Sequence, residues 1–505
     1  MLHSKDAVLR LRGSLPVLSV VICVFQPLLD VLSYWQIQFG VPNYLTLGIR
    51  IGMIGLMLLA ALPFLRRKKL FAVLSLGILL YLVGHVFACL KVSAGYNWKE
   101  DLADQARLLM LPASVFCFIV YLQANEKVFS ALKLGLMIDF LLILLIMILS
   151  VVTGTDPHTY AAKGIGIRGW FFWTSAQSAI LSLLCPLVIA WTMERFSGKL
   201  APLAAACLLS FGALFAFGTR LAYASLAAAG LCLTACLLIS DRKRWPQALT
   251  VFLCAVLFLG LFPISPMNRN QTAIQENAQV KQDRIDAAVA DAAAQNGLNI
   301  SELSEQPDLR VLTAAYRYNL QGMIDRFGIE RVAAVYHNSL DVLQICDDRV
   351  RKLKFCQLLM EDSAEASPLS RLFGLEIGRT RVDETEVYVF ETDEWEIQAE
   401  ASDPENDFYG VYYLCGFVGL GLLLLFLCYF VCCGLKSLFR DPKRTLAPDM
   451  SAFLISFGIA LVYAWSTVSV LRRNNASFYF AVILACVWFL STRPSFNKRK
   501  KERSP

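Results

Sequence analysis

The chain has 505 residues, 57% of them hydrophobic and only 17% charged, with a formal net charge of +7. That composition excludes a disordered chain and an ordinary soluble globule, and fits a helical protein that crosses a membrane many times. The positive charge is no nucleic-acid footprint, because the lysines and arginines sit in short clusters at the ends of apolar runs, where orientation signals belong.

In chain order, the apolar runs predict about twelve membrane spans, at 15–36, 44–64, 70–91, 107–124, 130–152, 171–193, 200–218, 221–239, 246–264, 409–434, 450–470 and 476–492. The first run is long and has no small-residue cleavage site, so it reads as a signal anchor rather than a cleavable leader. Lys5, Arg10 and Arg12 place the N-terminus in the cytoplasm. Arg66-Arg67-Lys68-Lys69, Arg195 with Lys199, Arg242-Lys243-Arg244 and the stretch Lys436 to Arg444 mark alternate loops as cytoplasmic, and Lys498 to Lys501 return the tail to that side. An even number of spans agrees with this pattern. The expected domains are a membrane domain at 1–264, a large and mostly helical extracytoplasmic loop at 265–408, a second membrane domain at 409–492, and a basic cytoplasmic tail at 493–505.

Within the large loop, Thr272 to Asn296 reads as helix, and Leu309 to Asp347 has helical periodicity with a turn at Phe327-Gly328. Val382 to Ala401 is acidic with alternating Val387 and Val389, consistent with a short hairpin or a loosely ordered segment. Most of the 15 cysteines fall in spans, Cys89 among them, and read as small buried hydrophobes. Cys346 and Cys356 lie in the loop, where an oxidising compartment would allow them to pair. The cysteines show no metal-ligand spacing among themselves.

The orientation rule exposes its exceptions. Arg107 opens the fourth span from the outer side, Arg168 stands just before the sixth, and Arg220 occupies the tight turn Phe217-Gly218-Thr219-Arg220-Leu221. Arg472 and Arg473 lie in the outer turn between the last two spans. Outer-face arginines run against topology, and a guanidinium suits bidentate binding of phosphate or carboxylate. The plainer alternative is snorkelling to lipid headgroups or a structural ion pair. Arg168 sits in Lys163-Gly164-Ile165-Gly166-Ile167-Arg168-Gly169-Trp170-Phe171-Phe172, where the glycines permit close backbone approach and the aromatics suit an interface or a sugar face.

Two carboxylates stand at the loop's exit, Glu405 and Asp407, directly before an apolar helix. Such a group is stabilised by the helix N-terminus and is able to accept a proton from an attacking hydroxyl. Alternatively, Asp407 or Asn406 caps the span. His337 in Tyr336-His337-Asn338-Ser339-Leu340 is the other candidate base, set against the blander reading of a surface histidine.

Together these features resemble the O-antigen ligase and O-antigen polymerase superfamily of bacterial envelope glycosyltransferases. Phe217-Gly218-Thr219-Arg220-Leu221-Ala222 is similar to the family's Thr-x-Ser-Arg-like turn, and Gly169-Trp170-Phe171 to its Gly-aromatic segment. Leu372-Phe373-Gly374-Leu375-Glu376-Ile377-Gly378 looks like the aromatic-Gly-x-Gly loop. Glu405-Asn406-Asp407 followed by Tyr412, Gly416 and Gly419 is similar to the polymerase pattern of acidic residues before a Tyr-Gly/Gly helix. In the ligase branch a His-Asn pair holds that last position, whereas here His337-Asn338 comes 70 residues before Asp407, a departure that favours a polymerase-like member.

The resemblance implies an all-α, GT-C-like membrane enzyme in the bacterial cytoplasmic membrane, with no cofactor and no metal. Its substrates would be a polyprenyl-pyrophosphate-linked glycan and an acceptor glycan or lipid. Membrane lipids surround it, no nucleic acid is involved, and a chain-length regulator or a flippase are its conceivable protein partners. Arg220, helped by Arg168 and Arg107, would bind the pyrophosphate; Glu405, Asp407 or His337 would act on the acceptor, and direct displacement would invert the anomeric centre. The rival reading is a lipid-linked oligosaccharide flippase or other transporter. Such proteins have short loops and internal repeats, neither of which is seen in this sequence.

Overall fold

A computed structural model describes residues 2–302, 320–337, 348–376 and 404–492 apart from 42–43, 66–67, 94, 197–198, 296 and 300, together with Gly378 and the hairpin at 385–389 and 394–398. The fold of the described residues is all-α apart from that one hairpin. Among the described residues eleven helices are long and apolar enough to cross a membrane. This follows from solvent: with no water in hydrocarbon, a chain this apolar satisfies its backbone only by coiling it.

Seven of the spans are α1 (Leu2–Gln38), α2 (Tyr44–Ala61), α3 (Lys68–Val92), α4 (Trp98–Ala124), α5 (Lys127–Val152), α6 (Thr174–Arg195) and α7 (Leu200–Phe217), and α8 (Arg220–Ser240) follows. The twelfth expected span, 246–264, is the 16-residue helix α9 (Trp245–Gly260) followed by a short 3-10 turn at Phe262–Ile264. Sixteen residues rise about 24 Å, short of a roughly 30 Å hydrocarbon layer, which is why α9 stands apart from the other eleven. Next comes α10 (Pro266–Gln295), the expected loop helix, and then α11 (Gln321–Phe327) and α12 (Ile329–Val335), parted by Gly328 where the turn was predicted. After α13 (Asp348–Ala366) and α14 (Leu369–Phe373), strands β1 (Thr385–Val389) and β2 (Glu394–Gln398) pair antiparallel. The chain ends with α15 (Asp407–Arg440), the short α16 (Pro442–Thr445), α17 (Pro448–Ser466) and α18 (Asn474–Thr492).

Packing divides the chain into two units, one comprising Met1–Lys69, Ala106–Asn270 and Leu424–Pro505, the other Leu70–Gln105 and Gln271–Leu423. In the first, 94% of the most apolar stretch of α6 is buried, so that helix forms the core, flanked by α17 and α18. Small residues let neighbouring backbones close: a Cβ on Gly230 of α8 would strike Ala255 of α9. Lys133 of α5 reaches Glu194 of α6 at 2.7 Å and Asp449 of α17 at 2.9 Å, tying three helices.

Deeper in this unit, Arg50 of α2 bonds Asp30 of α1, with both side chains about nine-tenths or more buried. Removing one partner of a buried pair strands the other charge. Arg50→Ala should therefore cost about 3–5 kcal/mol, read as a lowered unfolding temperature in detergent, whereas Asp30→Asn/Arg50→Gln together should cost far less. An unshifted Arg50→Ala would show that the pair contributes nothing.

Candidate functional site

In the first unit the turn between α7 and α8 is built by local rules. Gly218 ends α7 in the left-handed region at φ 77°, and its amide donates to Leu214 O. Thr219 then caps α8, its hydroxyl accepting from Ala222 N at 3.2 Å. Arg220 becomes the first residue of α8 and its side chain is exposed. It makes no hydrogen bond or ion pair with a described residue. A lone cation at a helix N-terminus faces the positive end of the helix dipole, so the place favours an anion twice over, by guanidinium and by free N–H groups.

A buried polar ladder fixes this turn. The Thr219 hydroxyl lies 2.6 Å from Ser178 Oγ, which lies 2.7 Å from the Tyr463 hydroxyl, and Tyr463 also meets Ser182 at 2.9 Å. Beside it, both amide atoms of Gln177 are buried without a hydrogen-bond partner among the described residues. Nothing in the hydropathy pattern singled out these α6 and α17 residues.

The segment 153–173 folds onto the same turn. Ile167 N donates to Ala216 O at 3.0 Å, and Tyr160 OH to Gly218 O at 3.4 Å. Of the glycines in this segment, Gly166 packs tightly, since a Cβ there would meet Phe217 O and Thr159, whereas one on Gly164 would meet open space. Asp156 accepts from the amides of Arg168 (3.3 Å) and Gly169 (2.9 Å), while Arg168 Nη1 donates to Thr174 Oγ1 at 3.0 Å. Burial holds the Arg168 guanidinium below its ordinary pKa, against the pull of Tyr34 and Asp156. Burial likewise raises the Tyr160 hydroxyl, partly offset by the Arg220 charge. Lys163 reaches Asn270 at 3.3 Å. Arg473 lies 3.7 Å over the Trp173 ring, a cation–π contact that gives this predicted outer arginine a partner.

The second unit is organised by two glycines. Gly374 (φ 86°, ψ −171°) ends α14, and Gly416 (φ 63°, ψ −170°) kinks α15. A Cβ on Gly374 would fall into the Leu414–Cys415 backbone, and one on Gly416 into the Leu372–Phe373 backbone. The two chains therefore cross backbone to backbone, joined by Leu375 N donating to Tyr413 O at 2.9 Å. A kinked helix leaves carbonyls without their usual partners, and these must be met inside the protein. Tyr81 OH reaches Cys415 O at 3.3 Å, Gln105 Nε2 donates to Leu414 O at 3.1 Å, and His85 Nδ1 lies 2.7 Å from Phe373 O. Glu376, buried, accepts from Asn97 N at 3.0 Å just ahead of α4.

Of the acidic candidates, Glu405 is paired with Arg349 at 2.8 Å and Lys352 at 3.4 Å, both on α13. Asn406 takes the capping role, its Oδ1 accepting from Tyr409 N at 2.9 Å. Asp407, the first residue of α15, is fully buried. His337 follows α12, exposed and left-handed at φ 55°; Asn338 and Cys346 lie outside the described residues, and Cys356 is buried in α13. Arg107 is half-buried inside α4, which starts at Trp98 rather than near the arginine. Arg107, Arg168 and Arg220 belong to the first unit, and His337, Glu405 and Asp407 to the second.

The family model described as O-antigen ligase like membrane protein matches residues 15–489. The chain belongs to that family. Membership makes this O-antigen ligase-like chain a multi-pass membrane protein of a glycan-transferring kind. No curated protein matches it. Both glycine motifs singled out in this O-antigen ligase-like sequence, Gly374 and Gly416, are thus halves of a single crossing.

Proposed function

We propose that the chain transfers glycan from a polyprenyl-pyrophosphate donor to a sugar hydroxyl at the outer face of a bacterial cytoplasmic membrane, with both termini cytoplasmic. The observation that carries this reading is Arg220, exposed at the start of α8 and unpaired among the described residues. A pyrophosphate leaving group carries its own charge and calls for cations rather than a protonating acid. Arg220 binds it, assisted by Arg168 and Arg107. The acceptor oxygen attacks the anomeric carbon, the bond from that carbon to the phosphate oxygen breaks, and its electron pair leaves with the pyrophosphate. Asp407 takes the hydroxyl proton. The attack comes from the face opposite the leaving group, so the centre inverts, and no step calls on a metal.

The ion pairs on Glu405 support a positioning role for it, which favours Asp407 as the proton acceptor. The distance of His337 in sequence from α15 favours a polymerase-like acceptor, a growing glycan, over transfer to lipid or protein.

The test is a glycan profile in a strain lacking the gene, restored with wild type or Asp407→Asn at matched membrane levels. Wild type should restore long polymer, while Asp407→Asn should leave single lipid-linked units on the outer leaflet, a loss of about 10²–10⁴-fold if the carboxylate is the base. Units held on the cytoplasmic leaflet would mean a flippase instead. An unchanged profile in the deleted strain would end the transferase reading.

A further inference from the structure

We propose that His85, Cys89 and Asp101 form a binding site for one divalent ion of the zinc class. One ligand atom from each lies within 4.8 Å of the others, and all three residues are buried. Cys89 stands one turn after His85 on α3, so both present to the same face, and Asp101 enters from the first turn of α4. The inference is independent of the glycan-transfer reading, because none of these residues is given a part in that chemistry.

The protons decide the argument. Phe373 O can only accept, so His85 Nδ1, 2.7 Å away, carries a hydrogen. In neutral imidazole this leaves a lone pair on Nε2. That lone pair faces both Asp101 oxygens at 3.0 Å and Cys89 Sγ at 3.7 Å. A ring nitrogen, a sulfur and a carboxylate thus converge on one small volume, where either a shared proton or a bound cation can hold them together. Imidazole, thiolate and carboxylate are the donors zinc takes, and a zinc-centred set places neighbouring donor atoms about 3.3–3.6 Å apart, a spacing bracketed by the 3.0 Å from His85 to Asp101 and the 3.7 Å from His85 to Cys89.

The surroundings suit a ligand set as well. A histidine whose second nitrogen donates to a backbone carbonyl is the usual arrangement of a metal-bound imidazole. Tyr96 OH donates to Asp101 Oδ2 at 2.7 Å and orients the carboxylate. Gln105 Nε2, 3.1 Å from the ring nitrogen, completes the enclosure. An ion here is structural: it fixes the imidazole that holds Phe373 O, and through it the Gly374–Gly416 crossing.

The rival is an imidazolium–carboxylate pair with no ion, and metal analysis separates the two. The full chain should be purified in detergent without a metal-affinity tag, from cells given zinc, and assayed by elemental analysis. It should then be stripped with chelator and titrated with Co²⁺. About one zinc per chain is expected, and Co²⁺ should give a thiolate-to-cobalt charge-transfer band with the visible spectrum of a tetrahedral ion. Cys89→Ser should abolish that band and weaken binding at least tenfold, and His85→Ala likewise, while Cys117→Ser, a buried thiol elsewhere, should leave both intact. If wild type holds no more zinc than a trace and Co²⁺ gives no thiolate band, the site is an ion pair and the proposal fails, whatever the variants do.

Discussion

Arg220→Ala should reach the membrane in wild-type amounts and yet transfer glycan about 10²–10³-fold more slowly, the usual effect of removing one donor to developing charge. Two features make the separation clean. The side chain is exposed and has no ion pair among the described residues, so losing it should change stability by no more than about 0.5 kcal/mol. The turn that carries it is held by Thr219, Ser178 and Tyr463, none of which touches the guanidinium. Arg220→Lys keeps the charge without the fork and should recover part of the rate. Thr219→Ala is the informative contrast: it removes a helix cap, so it should lower stability by about 1 kcal/mol. The measurement is release of polyprenyl pyrophosphate from a labelled lipid-linked glycan in membranes. Wild-type release by Arg220→Ala would remove the central residue of the proposed mechanism.

The second large effect is on folding. Gly374→Ala and Gly416→Ala each drive a methyl into the other chain's backbone, which cannot turn aside as a side chain can. Each also places an L-residue where essentially only glycine is stable. Strain and overpacking together cost about 2–6 kcal/mol, against a total stability of about 5–15 kcal/mol. Either variant should lose most of its monodisperse peak on size exclusion in detergent. Gly421→Ala on the same helix, with open space around it, should behave as wild type. Normal recovery of Gly416→Ala would mean that the crossing is not needed for the fold.

What was legible in the sequence follows from range. The spans could be read because each is a continuous apolar run; the run at 246–264 differs from the others in that its last residues, Phe262–Ile264, tighten to a 3-10 turn instead of continuing the α-helix. The start of α4 was missed because its first turns, Trp98 to Gln105, are polar and look like loop, which put Arg107 at a helix mouth instead of within the helix. Gly328 and Gly218 were visible as local punctuation. The meeting of Gly374 with Gly416 was not, since neither segment's spacing says that it touches the other. Ser178, Tyr463 and Gln177 escaped for the same reason, being ordinary residues in apolar helices. His85 had a readable signal that went unused: it is an ionisable residue inside the span 70–91, where such residues seldom lie without a partner.

That histidine also meets a problem of timing. His85 and its carbonyl partner Phe373 are 288 residues apart, and Gln105 and Leu414 are 309 apart. At a synthesis rate of about 5–20 residues per second, α3 and α4 wait roughly 15–60 s in the bilayer before those carbonyls exist. Asp101, only 16 residues from His85, is made long before those carbonyls. Of the contacts that His85 and Gln105 make, the one between His85 and Asp101 is therefore among the first that synthesis allows, and those to Phe373 O and Leu414 O are among the last.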